Sequence, residues 1–327
     1  MRRLLALIVL VGIALGGAAY WWLHQPLDLG PEPLELAIEP GTPPRTIARD
    51  IERAGVRVDA RLLFAWFRLS GKVREIRAGN YEIPPGTTPI ALLDKLVRGE
   101  ESLRSLTLVE GWTFRQMRAA LAREELRHDT ASLSDAEIMQ QLGRPGVPAE
   151  GRFFPDTYAY AKGSSDLAVL RRALHAMDRH LEAAWAQRSA DTPLKSADEA
   201  LVLASIVEKE TGQAADRPQI AGVFANRLRT GMLLQTDPTV IYGLGEKFDG
   251  NLRKRDLQTD TPWNTYTRTG LPPTPIAMPG KASLMAAVQP QATRALYFVA
   301  RGDGSSHFSA TLEEHNRAVQ RYQLQKK

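Results

Sequence analysis

Residues 196–212 read SADEALVLASIVEKETG. Ser196 with Glu199 three positions on has the form of a capping box, and Gly212 is a stop, so the spacing predicts a helix over 197–211. Residues 200–207 (ALVLASIV) are apolar or small on every side, which marks a helix buried all round rather than one lying on a surface. Glu208 and Glu210 then fall in the last turn, where the dipole disfavours negative charge and burial pushes a carboxyl pKa upward. A raised pKa is what a general acid working near neutral pH needs. The two glutamates point to different faces. Glu208 shares its stripe with Leu201, Ala204 and Ser205, where small side chains one turn earlier leave room for a ligand. Glu210 shares its own with Leu203, Ile206 and Val207, which reads as packing. The plainer alternative is that both are solvated helix-end residues paired with Lys209 or an arginine.

Downstream lie candidate groove walls. Asp216-Arg-Pro218 starts a helix carrying Ile220, Val223, Phe224 and Leu228. In Leu234-Gln-Thr-Asp-Pro-Thr-Val-Ile-Tyr-Gly243, Asp237-Pro238 has the form of an N-cap followed by Pro at N1, which favours Asp237 as a cap over a second catalytic acid. Asn264-Thr-Tyr266 follows, and then a loop, 270–280, with four prolines in eleven residues. Such a loop is stiff and suits a wall against an extended chain, or serves as a plain rigid connector. Leu296–Ala300 and His307–Ala310 around Gly302-Asp-Gly304 read as a hairpin, with His307 assigned to structure, and Thr311 with Glu314 caps a terminal helix. Upstream, Glu150-Gly-Arg-Phe-Phe-Pro-Asp-Thr-Tyr158 sets aromatics around a turn after the Gly/Pro-rich stretch 143–151. An amphipathic helix over 167–188 carries His175 and His180, whose spacing of five gives no metal-binding pair.

Residues 36–121 repeat a pattern of apolar stretch, Gly turn and amphipathic helix. Gly41 leads to Ile47 and Ile51, Gly86 to Leu92 and Leu96, and Gly111 to Met117 and Leu121. The first two copies flank a helical segment, 60–70. These strand–turn–helix units resemble LysM modules, which hold N-acetylated glycans; the alternative is an α+β packing unit without a ligand. Ahead of them, residues 24–37 contain Pro26, Pro31 and Pro33 and read as an extended linker. Ahead of that, residues 4–23 run LLALIVLVGIALGGAAYWWL without a charge, long enough to cross a bilayer core of ~30 Å. Arg2 and Arg3 precede this run and acids follow it, which puts the N-terminus in the cytoplasm and the body outside. Tyr20, Trp21 and Trp22 suit the outer headgroup layer. A cleaved signal peptide with a Gly17-x-Ala19 site is the alternative, though the apolar run is longer than a usual signal core.

The 327 residues favour two or three folded units, and 43% hydrophobic with 24% charged residues excludes a mostly disordered chain. The absence of cysteine excludes disulfides, an iron–sulfur cluster and a thiol nucleophile. A net charge of +5 with no basic–aromatic run argues against nucleic acid as a partner. No HExxH, P-loop, GxGxxG or GxSxG motif is present, so neither a metal nor another cofactor is expected.

Taken together in order, EGRFFPDTY at 150–158, IVEKET at 206–211, LQTDPTVIYG at 234–243, NTY at 264–266, GLPP at 270–273 and YFV at 297–299 resemble the endolytic murein transglycosylase, or YceG-like, family. The resemblance covers residues 36–327 and the anchor. It implies an α+β fold made of a membrane anchor (1–23), a linker (24–35), a LysM-like subdomain (36–105), a connecting α/β segment (106–149) and a catalytic domain with a buried catalytic helix (150–327). It implies that Glu208, the first glutamate of the EKET motif, is the catalyst, with Ser205, Gln235, Thr236, Asp237, Tyr242, Asn264 and Tyr266 as substrate-binding residues. The implied reaction is non-hydrolytic cleavage between N-acetylmuramic acid and N-acetylglucosamine in peptidoglycan strands, outside the inner membrane and beside peptidoglycan synthases. Two rivals stay open: a two-carboxylate hydrolase using Glu210 or Asp237 as partner, and a non-catalytic glycan-binding scaffold.

Overall fold

The structure is a computed structural model and describes residues 2–324. It is a mixed α+β protein whose strands, among the described residues, form two-stranded sheets. The chain divides into two compact units, residues 1–104 with 160–162, and residues 105–159 with 163–327.

In the first unit, helix α1 (Arg2–His24) contains the uncharged run. It is long and apolar enough to span a membrane, and none of that stretch is buried in the protein. The segment after it, expected as an extended linker, holds no helix or strand before Leu34 and touches the body of this unit at single points. Leu27 is buried and its N–H donates to the Thr87 carbonyl at 2.8 Å, while Asp28 bridges to Arg57, so the need to cover one leucine pins the chain down. Strand β1 (Leu34–Ile38), helices α2 (Pro44–Arg53) and α3 (Ala60–Leu69) and strand β2 (Gly79–Ile83) follow, with helix α4 (Pro89–Arg98) after them. β1 and β2 pair antiparallel, Leu36 opposite Tyr81 and Leu34 opposite Ile83. Because strand side chains alternate, Leu36, Ile38, Tyr81 and Ile83 all turn to one core, completed by Ile47, Ile51, Leu63, Phe67, Leu92 and Leu96. The repeated glycines work as turn residues: Gly41, Gly86 and Gly111 all have positive φ, at 83°, 87° and 77°, which a side chain would disfavour.

Strands β3 (Leu103–Thr107) and β4 (Thr157–Ala161) pair with one another, and between them lie helices α5 (Phe114–Leu121) and α6 (Asp135–Gln141). The rest of the second unit is helical: α7 (Asp166–Ala186), α8 (Ala197–Glu210), α9 (Arg217–Thr230), α10 (Asp237–Leu244), α11 (Lys254–Gln258) and α12 (Lys281–Val288). A hairpin of β5 (Tyr297–Ala300) and β6 (Ser306–Ser309) and helix α13 (Leu312–Val319) close it. As its sequence requires, α8 is buried from Ala200 to Val207 and lies among α7, α9, α10 and α12. Ser196 caps it by accepting from the Glu199 N–H at 3.2 Å; the return bond goes to the Lys195 N–H instead of Ser196, so the box closes one residue early.

Asp237 is corrected by one position. The N-cap of α10 is Thr236, with Asp237 at the first helical position and Pro238 after it. Thr236 has an extended backbone but does not cap with its side chain, because its hydroxyl is committed to Glu210.

Candidate functional site

The end of α8 carries the two candidate glutamates. On one side, Glu208 is held at each oxygen. Its Oε2 accepts from the Gly280 N–H at 2.9 Å and the Ser283 hydroxyl at 2.7 Å, and its Oε1 lies 3.8 Å from an Arg217 guanidinium nitrogen. Both side chains are nearly enclosed, Glu208 7% and Arg217 12% exposed, so water screens this pair little. Gly280 and Ser283 come from the end of the proline-rich loop and the start of α12, and Arg217 from the first residue of α9. The end of the loop thus reaches Glu208.

On the other side, Glu210 accepts a hydrogen bond from the Thr236 hydroxyl. Burial pushes its carboxyl up to about 7, Thr236 opposing and the nearby Asp237 charge reinforcing the rise. That is the rise expected of a carboxyl ending a buried helix. The neighbouring turn is strained: Gln235 is the one non-glycine residue with positive φ, 48°, among the described residues. The strain is held by its neighbours, since the Gln235 N–H donates to the Thr265 carbonyl at 3.1 Å and the Thr236 N–H to the Thr265 hydroxyl at 3.1 Å. Strain of this kind persists only where the surroundings fix it.

The remaining sequence-derived residues divide into two kinds. Gln235 and Asp237 are exposed, and the Tyr266 hydroxyl donates to Asp237 Oδ1 at 2.6 Å. Thr236, Asn264 and Ser205 are buried. Asn264 ties its own loop together, donating to the carbonyls of Leu257 and Thr259 at 3.0 and 2.7 Å and accepting from the Tyr266 N–H at 2.8 Å. The small side chain of Ser205 does not open space for a ligand. It admits the backbone of Ile276, whose N–H donates to Ser205 Oγ at 3.0 Å.

A cleft of about 980 Å³ opens beside this helix end, walled by Phe114, Ile241, Tyr242, Phe248 and Trp263 and reached from α8 by Lys209. Tyr242 and Trp263 meet edge to face across 5.5 Å. At its base Glu150, buried, accepts from the Phe114 N–H at 3.0 Å and the Tyr242 hydroxyl at 3.1 Å. Burial pushes its carboxyl up to about 7 against those two bonds. A mostly apolar cleft with a few convergent polar groups is the usual form of a ligand site. Sequence reasoning missed Glu150 as a site residue although its motif was noted, and it missed Arg217, Gly280 and Ser283 because it assigned their segments to helix starts and loop.

Comparison with known proteins places the chain. The YceG-like family model matches residues 36–321, and the protein belongs to the YceG-like family. It is 35% identical over 265 residues to the endolytic murein transglycosylase of Bacillus subtilis, covering 75% of this chain and 73% of that protein. It is 27% identical over 318 residues to the endolytic murein transglycosylase of Streptococcus pneumoniae, covering 87% of this chain and 57% of that one. A crystal structure of a putative YceG-like protein from Listeria monocytogenes superposes with a TM-score of 0.55 at 29% identity, over 88% of this chain and 99% of that one.

Proposed function

We propose that the protein is a membrane-anchored endolytic lytic transglycosylase that cuts peptidoglycan glycan strands, with Glu208 as its acid and base. The observation that carries this is the enclosed Glu208 carboxyl at the end of a buried helix, fixed by an N–H, a hydroxyl and a guanidinium. The relatives named endolytic murein transglycosylase supply the substrate class. The protonated carboxyl gives its proton to the oxygen linking N-acetylmuramic acid to N-acetylglucosamine as that bond breaks and positive charge gathers on the muramic ring. The carboxylate left behind takes the proton of the muramic 6-hydroxyl, whose oxygen closes onto C1 as a 1,6-anhydro ring. The electron pair of the broken bond leaves with the departing sugar as its hydroxyl, and Glu208 ends protonated, as it began. The nucleophile belongs to the substrate, so one acid suffices where a hydrolase uses two.

The aromatic cleft forms the groove for the strand, with Tyr242 on its wall. Gln235, Asp237 and Tyr266 contact the glycan, while Thr236, Asn264 and Ser205 hold the loops that shape the groove. Helix α1 is the single anchor in the inner membrane, with the N-terminus cytoplasmic and the body outside, where peptidoglycan synthases supply nascent strands. In the first unit, the order strand–helix–helix–strand with its two ends paired supports a LysM-like role in holding glycan.

The test is mass analysis of the products from purified peptidoglycan. Muropeptides ending in 1,6-anhydromuramic acid, lighter by one water than hydrolysis products, are expected. Reducing ends in their place refute the transglycosylase reading in favour of a hydrolase, and no cleavage at all favours the scaffold.

A further inference from the structure

Helix α3 buries Ala60, Leu63 and Phe67 against the core of the first unit, yet its opposite side is not simply polar. Leu62 is 57% exposed and Leu69 84%. Seven residues apart, or two turns, they stand in one row along the helix, with exposed Ala65 and half-buried Trp66 between them. Arg61 and Arg68, also seven apart and both exposed, form a second row beside the first. Residues 60–74 carry Arg61, Arg68, Lys72 and Arg74 and no acid, Lys72 reaching Asp94 at 3.0 Å. An apolar row edged by cations is the pattern of a helix lying in a membrane surface. Its leucines enter the boundary of headgroup and acyl chain, and its arginines keep their charges at the headgroups.

The same helix stands where α1 meets the body of this unit. Trp22, in the last turn of α1, and Trp66 of α3 pack on one core. Just beyond α1, the Leu27 N–H donates to the Thr87 carbonyl at 2.8 Å, and the Trp66 indole N–H donates to the Pro89 carbonyl at 3.2 Å. The short stretch from Thr87 to Pro89 thus holds both the chain leaving α1 and the middle of α3, and α1 itself touches α4. The unit is therefore fixed close to the end of the apolar helix. We propose that the outer face of α3 docks on the membrane that α1 spans, its ligand being a lipid surface with acidic headgroups. The proposal rests on the reading of α1 as the anchor. Leu62 and Leu69 supply the apolar contact, and Arg61 and Arg68 the attraction to the headgroups. Two leucines and two arginines would hold a free protein weakly, but beside its own tether the face meets the lipid at high effective concentration.

The chain has no cysteine, so Leu69→Cys can carry a fluorophore on the single thiol, at a side chain whose loss leaves the core intact. The labelled full chain is placed in vesicles of phosphatidylglycerol and phosphatidylcholine, with and without lipid bearing a nitroxide on its acyl chain. The nitroxide lipid should quench the label at position 69, and quench it less in vesicles of phosphatidylcholine alone. Arg61→Gln together with Arg68→Gln should lower the docking equilibrium about thirtyfold, each arginine near an acidic surface being worth about fivefold, and the quenching should fall with it. A label on Ala14→Cys, inside α1, reports the anchor separately. Quenching at position 14 without quenching at position 69 overturns the docking and leaves the anchor standing; quenching at neither overturns both. Quenching at position 69 that the double arginine variant leaves unchanged also overturns the proposal, since the label by itself would then be seeking the lipid. If purified glycan strands, and not lipid, shield the label at position 69 from iodide, the face belongs to the glycan and the docking is overturned.

Discussion

The two faces of the end of α8 carry the same side chain and treat it in opposite ways. On the Glu208 face an N–H, a hydroxyl and a guanidinium converge on the carboxyl. On the Glu210 face a single threonine hydroxyl meets the carboxyl, with Asp237 nearby and burial pushing it up to about 7. Two hydrogen-bond donors and a guanidinium 3.8 Å away meet the first, and in the proposed mechanism these are the groups that would face its carboxylate. The second is held where its neutral form is favoured and its bond to Thr236 anchors a strained turn. A raised pKa alone therefore does not single out one of the two, and the proposal of Glu208 as the acid rests instead on the groups that face each carboxyl.

Replacing each glutamate in turn is the sharpest way to break this contrast. Glu208→Gln keeps the size of the side chain and removes the proton, and cleavage should fall by ~10²–10⁴, measured as anhydromuramic ends released at saturating substrate. Glu210→Gln should leave cleavage within a few-fold and alter stability instead. The folded protein holds a proton on Glu210 up to about pH 7, whereas the unfolded chain gives it up near 4.5. Wild-type stability is thus fullest below 4.5 and is lost as pH rises through about 7, by about 3 kcal/mol in all. Glutamine has no such loss, so denaturant titrations at pH 5 and at pH 8 should show the variant gaining on the wild type by about that amount. A variant that gains nothing between those two conditions would show that Glu210 is charged in the folded state and that the two faces are alike.

Both faces were readable in part from sequence, and the limit is physical. The buried helix, its serine cap and the glutamates at its end are encoded within seventeen consecutive residues, because helix burial and capping depend on near neighbours. The turn–helix repeats are local in the same way, with Gly41, Gly86 and Gly111 at positive φ where the turns need them. Side-chain partners from distant segments leave no such trace. Glu150 meets Tyr242 across 92 residues and Ser283 meets Glu208 across 75, and neither pairing has any spacing to read. Ser205 was misread for a related reason: a small residue on a helix means close approach, and sequence does not say whether a ligand or the Ile276 backbone approaches.

Ser283→Ala tests whether the donors on the Glu208 face matter to the reaction. Ser283 is buried and its 2.7 Å bond goes to the oxygen that also accepts from Gly280. A hydrogen bond to a charged group contributes about 1.5–3 kcal/mol, and part of that is felt each time the carboxylate forms. The variant should lose about tenfold in kcat with KM little changed, since the serine touches the acid and not the strand. A rise in KM alone would place Ser283 among the strand contacts and weaken the claim that this face is built around the charge.

The smallest expected effect is on the other face and sharpens the contrast most finely. Tyr266 reaches Asp237 through a 2.6 Å bond at the exposed edge of the Glu210 face, and the backbone beneath it is held by Asn264. Tyr266→Phe removes only the hydroxyl. The ring stays, and Asp237 keeps its place at the first position of α10 but loses the donor that aims its carboxylate. If these residues bind the strand and take no part in proton transfer, KM for glycan strands should rise about threefold while kcat holds, the pattern of lost ground-state binding. Folding should be nearly unaffected, because the bond is exposed to water and costs about 1 kcal/mol or less to lose. A fall in kcat comparable to that of Ser283→Ala would mean that the Glu210 face enters the chemistry through Asp237, and the division between a reacting face and a supporting one would have to be given up.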